Sequence, residues 1–265
     1  MPTITRNGVN IHYATDGEGP ALLMLHPLPF DHTLYRYQIA HFSTWFKVIA
    51  VDLRGFGRSA SPPMRYGLND ICDDALAVAK AEGVDQAIVL GTSIGSKAVM
   101  LMGLDHPDFC RAVIAVGAGN KPSAHHQSHI DGYMAGRENF HAKHLRSVVS
   151  PAFADSPLGA HLLATMLERG RALDMSGEGM ARTVAAAHDR DLRPRLPGLK
   201  PPLLVLNGEF DNSLSGGTET VSLVPGARHR IVKNCGHACC LEDPQTFDEH
   251  VIAFLTDKGL MPGAR

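Results

Sequence analysis

Gly91-Thr92-Ser93-Ile94-Gly95 lies between two stretches of opposite character. Before it, Ala87-Ile88-Val89-Leu90 is apolar and rich in β-branched residues, the pattern of a buried parallel strand. After it, Lys97-Ala98-Val99-Met100-Leu101-Met102 reads as a helix. A serine between two glycines at a strand-to-helix switch is the nucleophile elbow G-x-S-x-G. Such a turn lifts the serine hydroxyl out at the carboxyl end of a sheet and holds the serine in strained backbone geometry. Side chains at the flanking positions would collide with strand and helix, so glycine is required at both. The new helix also aims free N–H groups at any charge that forms beside the serine. The competing reading of Ser93 is a structural serine in a tight turn.

Working outward, the bulk composition sets limits. The 265 residues suffice for one large α/β domain with a sizeable core. Twenty-five lysines and arginines against 27 acidic residues give a formal net charge of −2. That balance offers no field for a polyanion, so nucleic acid and anionic membranes are not expected partners. No apolar run approaches the roughly 20 residues of a membrane helix. Met1-Pro2-Thr3-Ile4-Thr5-Arg6 lacks the apolar core of a secretory signal. Five cysteines are an odd count in a long chain, not a disulfide framework. The expectation is the reducing cytoplasm.

The rest of the chain supplies more strands and helices in alternation. Thr3-Ile4-Thr5, Asn7-Gly8 and Val9 to Ala14 read as a hairpin with a tight turn. Ala21 to Leu25 is a buried strand that delivers His26-Pro27-Leu28-Pro29, and a helix follows over Thr33 to Phe42. Phe46 to Val51 is another strand, running into the glycine-rich Asp52-Leu53-Arg54-Gly55-Phe56-Gly57-Arg58-Ser59. Asn69 to Glu82 has an amphipathic helical pattern that stops at Gly83. Ala112 to Val116, Leu203 to Leu206 and His229 to Val232 are further strands, and Phe247 to Leu255 a closing helix. From Asn120 to about Pro197 strand patterns vanish, and histidine, alanine and short helical patterns take over. Alternating strands and helices predict a largely parallel sheet covered on both faces. The helical stretch reads as an insertion over one edge.

Serine at neutral pH is a poor nucleophile, needing a base to take its proton and an acid to orient that base. Both should lie at the carboxyl ends of other strands. Asp211 follows Leu203–Leu206 through Asn207-Gly208-Glu209-Phe210, and His237 follows Ile231-Val232 through Asn234-Cys235-Gly236. The order Ser…Asp…His is the one that elbow folds use. Asp211 has a competing reading as a helix N-cap before Asn212-Ser213-Leu214, and Glu209 is a rival acid two residues early. Cys235, Cys239 and Cys240 around His237 suggest metal, but Cys-x-His-x-Cys-Cys matches no common zinc set. Thiols in the core or along a wall are the better reading, and no metal or organic cofactor is expected. His125, His126, His129, His141, His144 and His161 are read as a solvated polar face, His26 as a structural hydrogen-bonder, and Lys97 as a buttress or an exposed side chain.

Five ordered segments carry a resemblance. They are His26-Pro27-Leu28, Asp52 to Ser59, Gly91 to Gly95, Gly208-Glu209-Phe210-Asp211, and Gly236-His237 with Leu241-Glu242-Asp243-Pro244 behind it. Over nearly its whole length the chain resembles the α/β-hydrolase superfamily. The resemblance implies a mostly parallel eight-stranded sheet with helices on both faces. It implies a core of residues 1–119 and 198–265, with 120–197 as a helical cap, and a triad of Ser93, Asp211 and His237. It places oxyanion donors at the backbone amides of Ile94 and Leu28. The family usually has glycine where Pro27 stands; proline has no N–H, but the donor is expected one residue later. A serine at the elbow argues against haloalkane dehalogenase and epoxide hydrolase chemistry, where the family uses a carboxylate nucleophile.

His26 to His32 and the compact size look similar to small bacterial esterases and 3-oxoadipate enol-lactonases, which implies a small ester or lactone as substrate. Phe30, Phe140, Phe153, Met134, Met166 and Met175 are candidate pocket residues, though core packing explains them equally well. A C–C bond hydrolase of ring-cleavage products, a cofactor-free dioxygenase or lyase, and a ligand receptor without turnover remain alternatives. The oligomeric state is not readable from the sequence.

Overall fold

The computed structural model describes residues 2–122, 126–173 and 177–263, leaving the side chains of residues 137 and 138 aside. The hairpin forms as β1 (Thr3–Arg6) and β2 (Val9–Asp16) around Asn7-Gly8. Then come β3 (Ala21–Leu25), a 3-10 turn over His32–Tyr35, α1 (Arg36–Phe42), β4 (Lys47–Val51), α2 (Leu68–Ala81), β5 (Ala87–Thr92), α3 (Ile94–Asp105) and β6 (Cys110–Val116). Among the described residues five helices follow with no strand between them: α4 (His126–Ala135), α5 (Arg137–Ser147), α6 (Pro151–Asp155), α7 (Pro157–Ala172) and α8 (Gly177–Ala187). The chain returns to the sheet with β7 (Leu203–Gly208), α9 (Leu214–Leu223), β8 (Arg228–Val232), α10 (Cys239–Glu242) and α11 (Pro244–Asp257). The elements expected from sequence all form, most with ends moved by one to three residues. The helices α9 and α10 and the subdivision of residues 126–187 are new. No helix among the described residues is long and apolar enough to cross a membrane.

The eight strands make one sheet in the order β1-β2-β4-β3-β5-β6-β7-β8. β2 runs antiparallel to β1 and β4, and every other pairing is parallel. Side chains alternate between the two faces of a strand, which splits each apolar run between two cores. Leu23, Leu25, Val89, Val113 and Val205 face one cluster, packed against α2 and α3. Leu22, Met24, Ile88, Leu90, Ile114 and Leu204 face the other, with Phe42, Phe247, Val251 and Phe254 from α1 and α11. Continuous β-branched and leucine runs are what such a doubly covered sheet demands.

A buried carboxylate ties two loops beneath the site. Asp52 Oδ1 accepts from the His32 backbone N–H (2.9 Å) and His32 Nδ1 (2.7 Å). Its Oδ2 accepts from His12 Nδ1 (3.0 Å) and the Arg58 N–H (3.0 Å). Burial opposes the charge, but the hydrogen bonds from His12 and His32 outweigh it and hold Asp52 well below the usual carboxylate range. Asp52→Ala strands three buried donors and the partly buried Arg58 N–H and should cost about 3–5 kcal/mol of stability, the order found when a buried pair is broken. Urea denaturation checks this: a loss under about 1 kcal/mol, the size of a single ordinary hydrogen bond, would show the network to be dispensable.

Candidate active site

The elbow forms as its sequence requires. Ser93 has φ 55° and ψ −112°, between the end of β5 and the first residue of α3. Its N–H donates to Val116 O (2.8 Å) on β6, and its carbonyl accepts from Ser96 Oγ (2.6 Å). These bonds, with the close packing of both glycines, hold a backbone geometry that L-residues otherwise avoid. A Cβ on Gly91 would lie 2.1 Å from Gly95 O, and one on Gly95 would lie 2.1 Å from Leu25 O.

Asp211 and His237 stand beyond the carboxyl ends of β7 and β8. Asp211 Oδ1 accepts from His237 Nδ1 at 2.8 Å. The same oxygen accepts from Ser213 N–H and Ser213 Oγ, both at 2.8 Å, and Oδ2 accepts from Asn207 Nδ2 at 2.8 Å. Burial disfavours the Asp211 charge, yet the His237 ring and these bonds pull its pKa well below the ordinary carboxylate value. Burial likewise favours neutral His237, but the Asp211 charge and hydrogen bond prevail and raise its pKa. A carboxylate only accepts, so the proton of the neutral ring sits on Nδ1 and Nε2 carries the lone pair. Nε2 has no hydrogen-bond partner among the described residues.

Ser93 and His237 line the same cavity, of about 370 Å³, together with Leu28 and Ile94. Among the described residues no hydrogen bond joins the Ser93 hydroxyl to the imidazole. The Leu28 and Ile94 amides make no backbone hydrogen bond among the described residues. His26 fixes the loop that carries Leu28. Its Nε2 accepts from the Leu53 N–H (2.9 Å), so its proton lies on Nδ1, 2.9 Å from Pro27 O. Burial keeps this ring below the usual histidine value. From the helical segment, the Arg169 guanidinium pairs closely with Asp31 on the same loop, and His141 Nε2 lies 3.2 Å from Pro29 O.

Several expectations need correction. Of the histidines read as a solvated face, His141 is buried, and His129 and His144 line the cavity with His188. His161 is exposed as expected, and His125 lies outside the described residues. Helix–helix packing decides these burials, and periodicity does not report it. Phe30, Phe140, Phe153, Met134 and Met166 do not line the cavity; its apolar wall is Leu28, Ile94, Val148, Val184 and Ala187. Met134 borders a neighbouring cavity, and Met175 lies outside the described residues. Lys97 is buried, 3% exposed, with Nζ donating to Ala187 O (2.7 Å) and Arg190 O (3.3 Å). Glu209, the rival acid, accepts instead from Lys233 Nζ and Asn234 N–H, both at 3.0 Å. The three cysteines near His237 are buried in the core, and burial pushes the Cys235 thiol up to about 12. His12, His32 and Asp52 place potential ligand atoms within 4.8 Å of one another. Both Nδ1 atoms and both carboxylate oxygens there are already engaged in the hydrogen bonds under the fold.

Three further residues matter to which the sequence reading gives no role of their own. Gly117, after β6, has φ 58°, and a Cβ there would lie 2.5 Å from His237 Cε1. Asn207 braces Asp211 while its own Oδ1 lies 2.9 Å from His229 Nε2. Glu242 accepts from the Gly236 N–H (2.8 Å) and the Ser150 N–H (2.9 Å), clamping the His237 loop to the turn between α5 and α6.

Comparison with known proteins agrees with the fold. A family model described as the alpha/beta hydrolase fold matches residues 20–151. Bifunctional epoxide hydrolase 2 of Sus scrofa is 34% identical over 123 residues, which are 45% of this chain. The match covers only 22% of that protein. The 3-oxoadipate enol-lactonase 2 of Acinetobacter baylyi is 25% identical over 96% of both chains. The crystal structure of the enol-lactonase from Burkholderia xenovorans LB400 superposes with a TM-score of 0.90 at 24% identity. It covers 96% of this chain and 100% of its own, a likeness of fold. Strand order, elbow and family match agree, and the chain belongs to the α/β-hydrolase superfamily.

Proposed function

We propose that this protein is a serine hydrolase of small carboxylic esters or lactones, with Ser93 as nucleophile, His237 as base and Asp211 as the acid that orients it. The carrying observation is the buried Asp211–His237 pair at 2.8 Å, whose ring faces the cavity that Ser93 lines. In the first step His237 Nε2 takes the Ser93 proton as Oγ bonds to the substrate carbonyl carbon. The carbonyl π pair moves onto oxygen, where the amides of Leu28 and Ile94 donate to it. Collapse breaks the bond to the leaving oxygen, which takes the proton from His237. Water, deprotonated by the same ring, then attacks the acyl-enzyme and releases Ser93. In a lactone the leaving oxygen stays tethered, so one hydroxy acid or its keto tautomer results. No step calls on a metal or organic cofactor.

A serine nucleophile fits acyl transfer better than the epoxide opening named for some relatives. The Acinetobacter baylyi lactonase, aligned over nearly the whole of both chains, points the same way. Helices α4–α8 fall between β6 and β7 and contribute His129, His144 and Val184 to the cavity wall. In this reading residues 120–197 are the cap over a core of 1–119 and 198–265.

A fluorophosphonate should label the folded protein, and Ser93→Ala should abolish the label. A panel of short esters, lactones and vinylogous diketones then identifies the bond cleaved. No labelling of the wild type would replace this reading with a receptor, and cleavage of the diketone alone would replace it with C–C hydrolysis. Gly117→Ala gives a second check. Its methyl must push the imidazole aside, and misplacement by about 1 Å costs about 100-fold. kcat/KM should fall by that order; because residue 117 has φ 58°, alanine is also strained there and should lower the melting temperature by a few degrees, so turnover is measured well below it. Unchanged turnover would mean the ring position is not critical.

A further inference from the structure

The side chains that line the site's cavity are unbalanced in charge. Lys97, Lys121, His129, His144, His188 and His237 line it, and no Asp or Glu does among the described residues. Asp211 lies behind His237, with both its oxygens already engaged. Lys121 is satisfied by Glu219 at 3.3 Å. Lys97 is different. Among the described residues no carboxylate lies within ion-pair distance of its Nζ. Its two acceptors are the backbone carbonyls of Ala187 and Arg190.

An ammonium has three protons. Closing the carboxyl end of α8 accounts for two of them. The third has no acceptor among the described residues, and Lys97 lines the cavity. Burial opposes the charge and outweighs Asp189 and Asp191, which favour it from beyond ion-pair distance. Keeping a buried cation without a contacting carboxylate is costly, and a neutral amide side chain would serve the two carbonyls without that cost. Burial lowers the Lys97 pKa to about 8, so the ammonium persists at neutral pH. His144 and His188 are driven by burial to about 3 and about 4, so they present neutral rings, able to hydrogen-bond but not to compete as cations. Lys97 lies one helical turn beyond Ser93, on the same face of α3. A group it holds is therefore part of the molecule whose carbonyl Ser93 attacks.

We propose that the cavity selects esters or lactones that carry a second, free carboxylate, held by the Lys97 ammonium. This deepens the hydrolase reading and rests on it for the reaction. The anion site itself is testable without turnover.

The test compares monomethyl esters of succinate, glutarate and adipate with methyl esters of the matching neutral acids, following methanol release. For at least one chain length the carboxylated ester should have a kcat/KM at least tenfold higher. A hydrogen bond to a charged group corresponds to about 10- to 100-fold, and Lys97→Gln should lower the charged-to-neutral ratio by that factor, through KM. In parallel, calorimetry on Ser93→Ala should show the free dicarboxylates binding and their diamides not binding, with Lys97→Gln added to Ser93→Ala removing the difference. This arm does not depend on hydrolysis. Should Lys97→Gln fail to fold, the dicarboxylate-against-diamide comparison on Ser93→Ala still decides. No preference for charged esters at any length, equal loss on both ester classes in Lys97→Gln, or equal binding of acids and diamides would overturn the proposal. Turnover of neutral esters without charge selectivity leaves the hydrolase standing and removes the anion site. Dicarboxylate binding without any ester turnover does the reverse.

Discussion

Ser93→Ala should lower kcat by about 10⁴–10⁶ with the fold retained, because members of a nucleophile–base–acid unit are lost together rather than piecemeal. The residual rate comes from the oxyanion donors and binding, which a missing hydroxyl leaves in place. Retention of the fold follows from what holds the elbow. The bonds at residue 93 are made by its backbone: the N–H to Val116 O, and the carbonyl from Ser96 Oγ. Alanine keeps both. The close packing is supplied by Gly91 and Gly95, which the substitution does not touch. Circular dichroism and melting temperature should therefore stay near wild type while turnover collapses. A fall of less than tenfold on a good substrate would remove Ser93 from the mechanism.

That separation also explains what was legible from sequence. The elbow could be read because its cause is local: two glycines whose missing side chains make room for Gly95 O and Leu25 O. Asp211 and His237 could be placed because parallel strands deliver their following loops to one edge, so strand order along the chain suffices. The sheet was legible for the same reason, as each apolar run feeds two cores by alternation. Features fixed by distant packing were not. Gly117 looks like any glycine after a strand until the His237 ring lies 2.5 Å from where its Cβ would stand. Lys97 sits in a helix buried on nearly every side, where periodicity cannot distinguish a cavity from the core. The histidines of residues 126–161 take their burial from the way α4, α5 and α7 pack, which no short-range pattern encodes. Asn207 lies past the apolar run Leu203–Leu206, yet β7 extends through it and its side chain braces the acid.

Asp211→Asn should lower kcat/KM by about 10⁴ and also move its pH profile in a set direction. The substitution keeps the shape but replaces an acceptor with an NH₂ group. Asp211 receives donors on both oxygens: His237 Nδ1, Ser213 N–H and Ser213 Oγ on one, Asn207 Nδ2 on the other. Whichever way the amide turns, a donor faces a donor in a buried site, and the imidazolium formed during attack loses its counter-charge. The pH argument is separate. His237 must be neutral to act, and Asp211 raises its pKa against the opposing effect of burial. Wild-type kcat/KM should thus fall as pH drops through a value above that of ordinary histidine. With the charge gone, burial acts alone and favours the neutral ring, so the acid limb should shift to lower pH even as the plateau collapses. A merely structural aspartate would lower stability without moving that limb. An unmoved limb, or a plateau within tenfold of wild type, would take Asp211 out of the catalytic unit.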